Sequence, residues 1–244
     1  MRLCAISCEV FARECARATA YSPHVVDLIL LPFGLHNEPD ELRRRIQKEI
    51  DIASDGRFEY IVLAYGLCSR GTADLEARST PIVIPRAHDC ITLLLGSRER
   101  YKEEFQQHPG TYYYSPGWVE RKEGEIRQGV VDSVQERLEE ERFREYVQKY
   151  GEDNAQFLIE QERLWLVNYN RAAFINTGLG NIESYREFTK RLAENRGWSY
   201  EEIPGDTRLI DKLLFGDWDE TEFLIVRPGC RTIEQVNNEI ISAV

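Results

Sequence analysis

The amino-acid sequence predicts an α/β protein with a mainly parallel, doubly wound (Rossmann-like) sheet and a helical insertion. Apolar segments of strand length alternate with amphipathic segments of helix length through the first hundred residues. Strands joined in this way by helices are parallel, and their crossovers are right-handed. A second alternating stretch begins near residue 171 and is expected to return to the same sheet. A chain of 244 residues, 42% of them hydrophobic, is long enough to bury one large core.

The elements of the first half follow one another closely. Strands are expected at residues 2–7, 25–32, 58–64 and 80–84, with helices at 9–20 and from 38 onward. Apart from Asp27, the run at 25–32 is apolar, which is typical of strands covered on both faces. The helix after residue 38 places Leu42, Ile46 and Ile50 on one face, with Pro39 near its start. These features predict alternating strands and helices.

The character of the sequence changes after residue 97. A short helix is expected at 101–105, and an aromatic segment at 108–118 lies between two Pro-Gly turns, as a strand that could wall the site. Residues 119–169 are charged and helical, with a break at Gly151, and form an insertion between 1–118 and 170–244. Their many glutamates are typical of a solvated face, and the charged helices could serve as the arm of a homo-oligomer.

Helical spacing places two sets of residues on separate faces of this insertion. The sets are Val131, Val134 and Leu138, and Phe157, Gln161, Leu164 and Trp165. Beyond the insertion, strands are expected at 171–176, 198–203 and 223–226, with a helix at 182–195. Together these segments make up the second alternating stretch.

Composition excludes several classes of protein. The net charge is −11 and no long Lys/Arg cluster is present, so a nucleic-acid partner is not expected. No apolar run approaches the roughly 18 residues of a membrane helix, and the first residues do not resemble a secretory signal. We therefore expect a cytoplasmic protein. Its six scattered cysteines are then thiols, metal ligands or nucleophiles rather than a disulfide framework.

Three cysteines lie where predicted strands end. Cys8 and Cys68 each follow an apolar run, and Cys90 follows another as part of a His88-Asp89-Cys90 loop. The carboxyl ends of parallel strands meet at one edge of a sheet, where ligands bind in open α/β folds. Thiolates and imidazoles are ligands for zinc and for iron. The sequence therefore predicts a metal site made by Cys8, Cys68, Cys90 and His88.

Other residues are candidates for supporting roles. His36 follows the second strand and could be a ligand or an acid–base group, Glu9 could accept a proton, and Arg86 could offset thiolate charge or bind a substrate carboxylate. Asp89 could orient a neighbouring ligand. Cys230 follows a late Pro-Gly turn and could complete the ligand set. These residues extend the candidate site beyond its three strand-end cysteines.

Glycines and a serine could contact a cofactor. The candidates are Gly66 and Ser69, beside Cys68, and Gly178 and Gly180, whose Gly-x-Gly turn precedes a helix and could hold an anion on backbone N–H groups. A tight turn formed only for packing is the alternative for the Gly-x-Gly pair. The four residues mark two places at which a cofactor could be held.

Each candidate also has a structural explanation. A strand-end cysteine can be an ordinary core residue, as we expect for Cys4 and Cys15. His88 could hydrogen-bond a backbone carbonyl and hold its loop, and Glu9 and Arg86 could form a salt bridge with each other. The metal site therefore stands as a hypothesis about side chains that converge in space.

Four ordered blocks of the sequence resemble a known family. They are Leu31-Pro32-Phe33-Gly34-Leu35-His36, Ala64-Tyr65-Gly66-Leu67-Cys68, Pro85-Arg86-Ala87-His88-Asp89-Cys90 and Pro109-Gly110-Thr111-Tyr112-Tyr113. These blocks look like the signatures of the domain of unknown function 1638 proteins. The resemblance implies anaerobic one-carbon metabolism, because members of that family tend to accompany corrinoid-dependent methyltransferases. It therefore suggests a corrinoid methyltransferase protein as partner.

A second resemblance is local. Cobalamin:thiol methyltransferases of the uroporphyrinogen decarboxylase superfamily hold zinc with a His-x-Cys pair and a distant cysteine, and His88, Cys90 and Cys230 are similar in order. That superfamily forms a barrel, which needs more strand-helix units than this chain supplies. The resemblance implies zinc that activates the thiol of a small-molecule substrate for methyl transfer.

Three functional hypotheses follow. The first is a metal-dependent enzyme, or enzyme component, of one-carbon methyl transfer, with zinc first and an iron–sulfur cluster second. The second is a non-catalytic carrier of a metal, an iron–sulfur cluster or a corrinoid for a partner methyltransferase. The third is a structural metal site in a protein that acts elsewhere. An enzyme would keep a coordination position open, whereas a structural site would be closed by four protein ligands.

Overall fold

The structure is a computed structural model, and it describes residues 1–126, 143–166, 168–237 and 239–244. The chain forms a mixed α/β protein with a mainly parallel sheet. The strands of the described residues are β1 (Arg2–Cys8), β2 (Val25–Leu31), β3 (Tyr60–Ala64), β4 (Ile82–Pro85), β5 (Thr111–Tyr114), β6 (Arg171–Asn176), β7 (Ser199–Pro204), β8 (Phe223–Val226), β9 (Thr232–Glu234) and β10 (Ile241–Ala243).

Helices connect most of these strands. Those within the described residues are α1 (Ala12–Tyr21), α2 (Pro39–Ala53), α3 (Cys90–Leu95), α4 (Arg98–Gln107), α5 (Pro116–Ile126), α6 (Glu152–Leu166), α7 (Ile182–Arg196) and α8 (Arg208–Phe215). Short 3-10 helices lie at Glu9–Phe11 and Leu35–Asn37. Residues 143–150 are also helical, and Gly151 separates them from α6 with a φ of 83°, which confirms the predicted break.

The larger sheet has five strands in the order β2-β1-β3-β4-β8. The first four are parallel, and β8 pairs antiparallel with β4. Strand β2 is at the edge, yet apolar side chains cover both of its faces in part: Ile29 and Leu31 pack on one side, and Val26 and Leu28 on the other. The expectation that residues 25–32 are covered on both faces is therefore met only in part. Val25 is 59% exposed and Leu30 is 38% exposed. An apolar run looks the same in an edge strand as in a central one, because periodicity carries no information about neighbours.

Two apolar clusters cover this sheet. In one, Leu42, Ile46 and Ile50 of α2 pack with alternate strand residues such as Ile6 and Leu63. In the other, α1 and α8 pack with the intervening strand residues. Residues two apart along a strand face the same side of a sheet. The predicted apolar face of α2 is therefore confirmed as a buried face.

The second alternating stretch does not return to the larger sheet as expected. Strands β5, β6 and β7 form a separate parallel sheet in which Tyr112 is the register partner of Ala172. Only β8 joins the larger sheet, and it does so antiparallel. The physical reason is that the aromatic segment supplies β6 with a strand partner and packs Tyr112 and Tyr114 against Trp118. These tyrosines do not line the cavity that contains Cys8, Cys68 and Cys90, although the aromatic segment was expected to wall the site.

The predicted insertion lies between β5 and β6, which are adjacent parallel strands, and the described parts of this connection include α5 and α6. Val131, Val134 and Leu138 lie outside the described residues, as do the side chains of Gln161, Leu164 and Trp165, so their predicted faces remain predictions. Phe157 is exposed on α6. Across the described residues, no helix is both long enough and apolar enough to span a membrane.

Candidate functional site

Three cysteines line one cavity of about 340 Å³ at the carboxyl ends of the parallel strands. Cys8 is the last residue of β1, Cys68 follows β3, and Cys90 begins α3 shortly after β4. These three strands are neighbours in the sheet and run in the same direction. The thiols are therefore brought to the same edge although they are far apart in the sequence.

The loops that carry Cys68 and Cys90 are held together by backbone contacts. The amide of Leu67 donates to the carbonyl of Ala87 at 2.8 Å, and the amide of Cys68 donates to the carbonyl of His88 at 2.9 Å. A Cβ on Gly66 would lie 2.6 Å from the backbone nitrogen of Asp89. Gly66 does not line the cavity. Its role is therefore to permit this close approach rather than to bind a cofactor.

The backbone after β3 adopts an unusual conformation. Cys68, Ser69 and Arg70 have φ angles of 46°, 55° and 73°, so three consecutive residues with side chains are left-handed. This conformation costs about 1–2 kcal/mol for each such residue. Strain of this kind persists where the surrounding contacts impose it, and it concentrates at functional sites. Ser69 also lines the cavity, as the sequence placed it beside Cys68.

The three thiols hold their protons at neutral pH. Burial raises the pKa of Cys8 to about 11 and that of Cys68 to about 12, and it raises the pKa of Cys90 well above its usual value. The negative charge of Asp89 is the second cause for Cys68 and Cys90. Neutral thiols are weak nucleophiles and weak metal ligands. A bound cation would be needed to make them thiolates near pH 7.

Asp89 positions the start of α3. Its Oδ1 accepts from the amides of Ile91 at 3.0 Å and Thr92 at 3.2 Å, and Tyr101 donates its hydroxyl to Oδ2 at 2.8 Å. An aspartate at this position caps the helix. Both carboxylate oxygens of Asp89 thus hold the loop that presents Cys90. These contacts fit a role in orienting Cys90 better than a role as a catalytic acid or base.

His36 and His88 lie exposed at the cavity. The ring of His36 meets that of Phe33 edge-on, with centroids 5.9 Å apart. Within the described residues the His88 imidazole makes no hydrogen bond, so it does not hold its loop through a backbone carbonyl. The backbone carbonyl of His88 has that role instead.

Tyr65 was missed by sequence reasoning. It follows β3 directly and lines the cavity, and its buried hydroxyl has no hydrogen-bond partner among the described residues. Burial is the largest cause that raises its pKa, followed by the nearby Cys8. Buried polar groups are rarely left unpaired. The only signal in the sequence is its place three residues before Cys68.

Cys230 does not line the cavity. It follows β8, which runs antiparallel to β4. The carboxyl end of β8 therefore lies at the opposite end of the strands from Cys8, Cys68 and Cys90. There the carbonyl of Cys230 accepts from the amide of Ala77, before β4 begins. The fold therefore removes Cys230 from the predicted ligand set. Cys4 and Cys15 are buried core residues, as expected.

Arg86 and Glu9 also have structural partners. Arg86 donates to the carbonyls of Glu220 at 3.0 Å, Glu239 at 3.2 Å and Ile241 at 2.5 Å. A carboxylate oxygen of Glu9 accepts from the amide of Phe33 at 3.1 Å. Neither residue lines the cavity, and they do not pair with each other, so that alternative is wrong.

The Gly-x-Gly turn belongs to a different cavity. Gly180 lines a space of about 500 Å³ with Arg13 and Glu120, which pair closely with each other. The amide of Gly178 donates to the side chain of Asn176 at 2.8 Å, within the turn itself. This contact favours the tight-turn interpretation, and the turn stands at the end of β6 in the second sheet.

The three thiols that share the cavity do not form a complete set of metal ligands. Among the residues that the structure describes, no group of three or more His, Cys, Asp and Glu side chains is arranged to hold a metal ion. The cavity therefore brings possible metal ligands to one place, but their side chains are not arranged to coordinate an ion.

Comparison with known proteins gives one relationship. The family described as protein of unknown function (DUF1638) matches residues 30–214, which include Cys68, His88 and Cys90 but not Cys8. No curated protein and no solved structure gave a match. Because the match extends over more than half of the sequence, the chain belongs to the DUF1638 family.

Proposed function

We propose that this protein binds a thiophilic metal ion through Cys8, Cys68 and Cys90. The observation that carries the proposal is the convergence of three thiols on one cavity at the edge of the sheet. Zinc is the first choice, because three cysteines with a histidine form a common zinc ligand set. His88 and His36 are the imidazoles that line the cavity. Iron, as an iron–sulfur cluster, is the second choice.

The strand order supports a ligand site at this place. We propose that the larger sheet is of the doubly wound, Rossmann-like class. In such sheets ligands bind where the strand order reverses, outside the carboxyl ends. The order β2-β1-β3-β4 reverses between β1, which ends at Cys8, and β3, which Cys68 follows.

Binding requires the side chains to reorient and lose protons. A cysteine can turn between staggered rotamers without movement of its backbone, and we propose that such rotations bring the sulfurs of the three cysteines together when the metal binds. The cation would then favour the thiolate form that burial opposes. The free hydroxyl of Tyr65 would remain available for a substrate or a bound water.

We further propose that the site serves one-carbon methyl transfer. When zinc is bound by thiolates it can lower the pKa of a substrate thiol and so prepare it for methylation. The support is the resemblance to proteins that accompany corrinoid-dependent methyltransferases. The loss of Cys230 from the site weakens the separate likeness to cobalamin:thiol methyltransferases. A small-molecule thiol is the proposed substrate, and a corrinoid methyltransferase protein is the proposed partner.

Metal analysis of anaerobically purified protein tests the binding proposal. We expect about one zinc ion per chain in the wild type and a sharp loss in Cys68→Ser and in Cys90→Ser. Cys230→Ser is the matched control, since Cys230 is half-buried like the other two but lies at the opposite edge. It should retain the metal. Full metal content in both cavity variants, or none in the wild type after incubation with zinc, would contradict the proposal.

The absorption spectrum of the same samples separates the candidate groups. A colourless protein with zinc supports thiol activation, whereas a broad visible band with iron supports an iron–sulfur cluster. Transfer of the bound group to a partner methyltransferase without turnover would support a carrier of a cluster or a corrinoid instead of an enzyme.

A further inference from the structure

A second cavity adjoins the thiol site. It has a volume of about 610 Å³, and His88 lines both cavities. One part of its lining comes from α4, including Lys102 and Phe105. Another part comes from the connection between β9 and β10, including Val236. The volume falls within the range of roughly 300–1,000 Å³ that is usual for small-molecule sites.

Two cations face this cavity. Lys102 is exposed and has no ion-pair partner among the described residues. Arg98 also lines the cavity, and its guanidinium donates to the carbonyl of Thr221 at 3.0 Å. The carboxylate of Glu99, the acidic residue of the lining, accepts from the hydroxyl of Ser97 at 2.8 Å. An anionic ligand group therefore has a lysine ammonium available to it.

The same cavity carries exposed apolar side chains. Phe105 is 56% exposed, and Val236 is fully exposed. A single exposed apolar residue is ordinary, but two from separate elements in one concave lining are typical of a ligand site. An aromatic ring can also stack against a flat apolar ligand. The lining thus combines positive charge with apolar surface.

We propose that this second cavity binds the body of the substrate, an organic anion with a flat apolar part. Its anionic group lies at Lys102 and Arg98, and its apolar part lies against Phe105 and Val236. The opposite end passes His88 and reaches the thiol cavity. This inference rests on the proposed function, because it makes the cavity the substrate compartment of the metal site.

A pair of fluorescent probes tests the inference. Anilinonaphthalene sulfonate has an apolar aromatic body and a negative charge, and phenylnaphthylamine has nearly the same body without the charge. Both become fluorescent when they enter an apolar site, so titrations give their Kd values. We expect one sulfonate per chain, bound about fivefold more tightly than the neutral probe, since an exposed ion pair contributes up to about 1 kcal/mol.

Matched variants locate the probe. Lys102→Gln should weaken sulfonate binding about fivefold and leave the neutral probe unchanged, whereas Lys48→Gln, which removes an exposed lysine from α2, should change neither. Phe105→Ala should weaken both probes, and Phe157→Ala, at a similarly exposed phenylalanine of α6, should weaken neither. Equal sulfonate binding by Lys102→Gln and Lys48→Gln, or no binding by the wild type, would overturn the inference.

Metal content distinguishes this inference from the proposed function. Lys102→Gln and Phe105→Ala should keep the metal of the wild type, and Cys68→Ser should still bind the sulfonate. Metal binding without the Lys102 effect would refute the second cavity alone. The Lys102 effect without metal would refute the metal site and leave the cavity as a site for organic anions.

Discussion

Gly66 and Asp89 lie so close that a Cβ atom on Gly66 would stand 2.6 Å from the backbone nitrogen of Asp89. This contact sets the spacing between the loop that carries Cys68 and the helix that Cys90 begins. Because both partners are main chain, a rotamer change cannot relieve the overlap. The geometry of the thiol cavity therefore depends on the absence of a side chain at position 66.

Gly66→Ala should accordingly destabilise the fold and impair the site. We expect a loss of about 2–3 kcal/mol in the free energy of unfolding, as in other overpacked cores, together with reduced metal binding. Gly178→Ala is the control, because a Cβ there meets no atom within 4 Å and only its φ of 75° is unfavourable. It should cost about 1 kcal/mol and leave the metal bound. Denaturant unfolding and metal analysis measure both effects, and equal losses in the two variants would refute the close-approach role.

Ser69→Gly tests the strain after β3. Glycine adopts a φ of 55° without the penalty that serine carries, so this variant should be about 1 kcal/mol more stable than the wild type. Its metal affinity should fall, because a more flexible turn holds Cys68 less firmly. In Ser184→Gly, at an exposed right-handed position of α7, the same replacement should destabilise by about 0.5 kcal/mol. A decrease in stability at both positions would show that the left-handed turn is unstrained.

Local patterns identified the strands but not their partners. The predicted bounds of residues 171–176 and 223–226 are those of β6 and β8. The first of these strands nevertheless belongs to the second sheet, and the other is antiparallel. Apolar periodicity reports which residues are buried, and burial is similar in either sheet. Pairing depends on long-range contacts such as those of Tyr112 with Trp198, which no local pattern contains.

The same limit explains which residues of the candidate site could be predicted from the sequence. Cys8, Cys68 and Cys90 could be placed together because each lies at or after the carboxyl end of a strand whose parallel direction was predictable from its crossover. Cys230 also follows a strand, but the direction of β8 is opposite. Tyr65 could not be recognised, because its importance lies in a buried hydroxyl without a partner, which is a property of the packing. Strand direction thus decides which of these cysteines share the cavity.

Arg86→Met tests whether Arg86 is structural. Its guanidinium holds three carbonyls of the C-terminal region, and its side chain is only 13% exposed. Removal of these charge-assisted bonds should lower the free energy of unfolding by about 3 kcal/mol. Metal binding should persist in the folded variant, since Arg86 does not line the cavity. Arg57→Met, at an exposed arginine, should change stability by less than about 0.5 kcal/mol. A stable Arg86→Met protein that loses its metal would show that Arg86 belongs to the metal site.

We expect the second sheet to lose stability in acid because of the contacts of Glu202. Arg186 donates to its carboxylate through Nε at 2.5 Å and Nη2 at 3.0 Å, and Asn176 donates at 2.8 Å. The Arg186 hydrogen bond is the largest cause that lowers the pKa of Glu202 from 4.5 to about 2. A carboxyl group with a depressed pKa stabilises the folded state above its unfolded pKa, and this contribution is lost as the pH falls through the folded pKa.

Glu202→Gln should therefore lose about 2 kcal/mol at neutral pH, because it weakens a charge-assisted bidentate contact. The difference between wild type and variant should shrink as the pH falls from about 5 toward 2, where the wild-type carboxylate also becomes neutral. Urea unfolding across this range measures it. Glu183→Gln is the control, because Glu183 also pairs with Arg186 but its side chain is 72% exposed, so its removal should have a much smaller effect. Parallel pH profiles for wild type and Glu202→Gln would show that the Arg186 contact does not stabilise the second sheet.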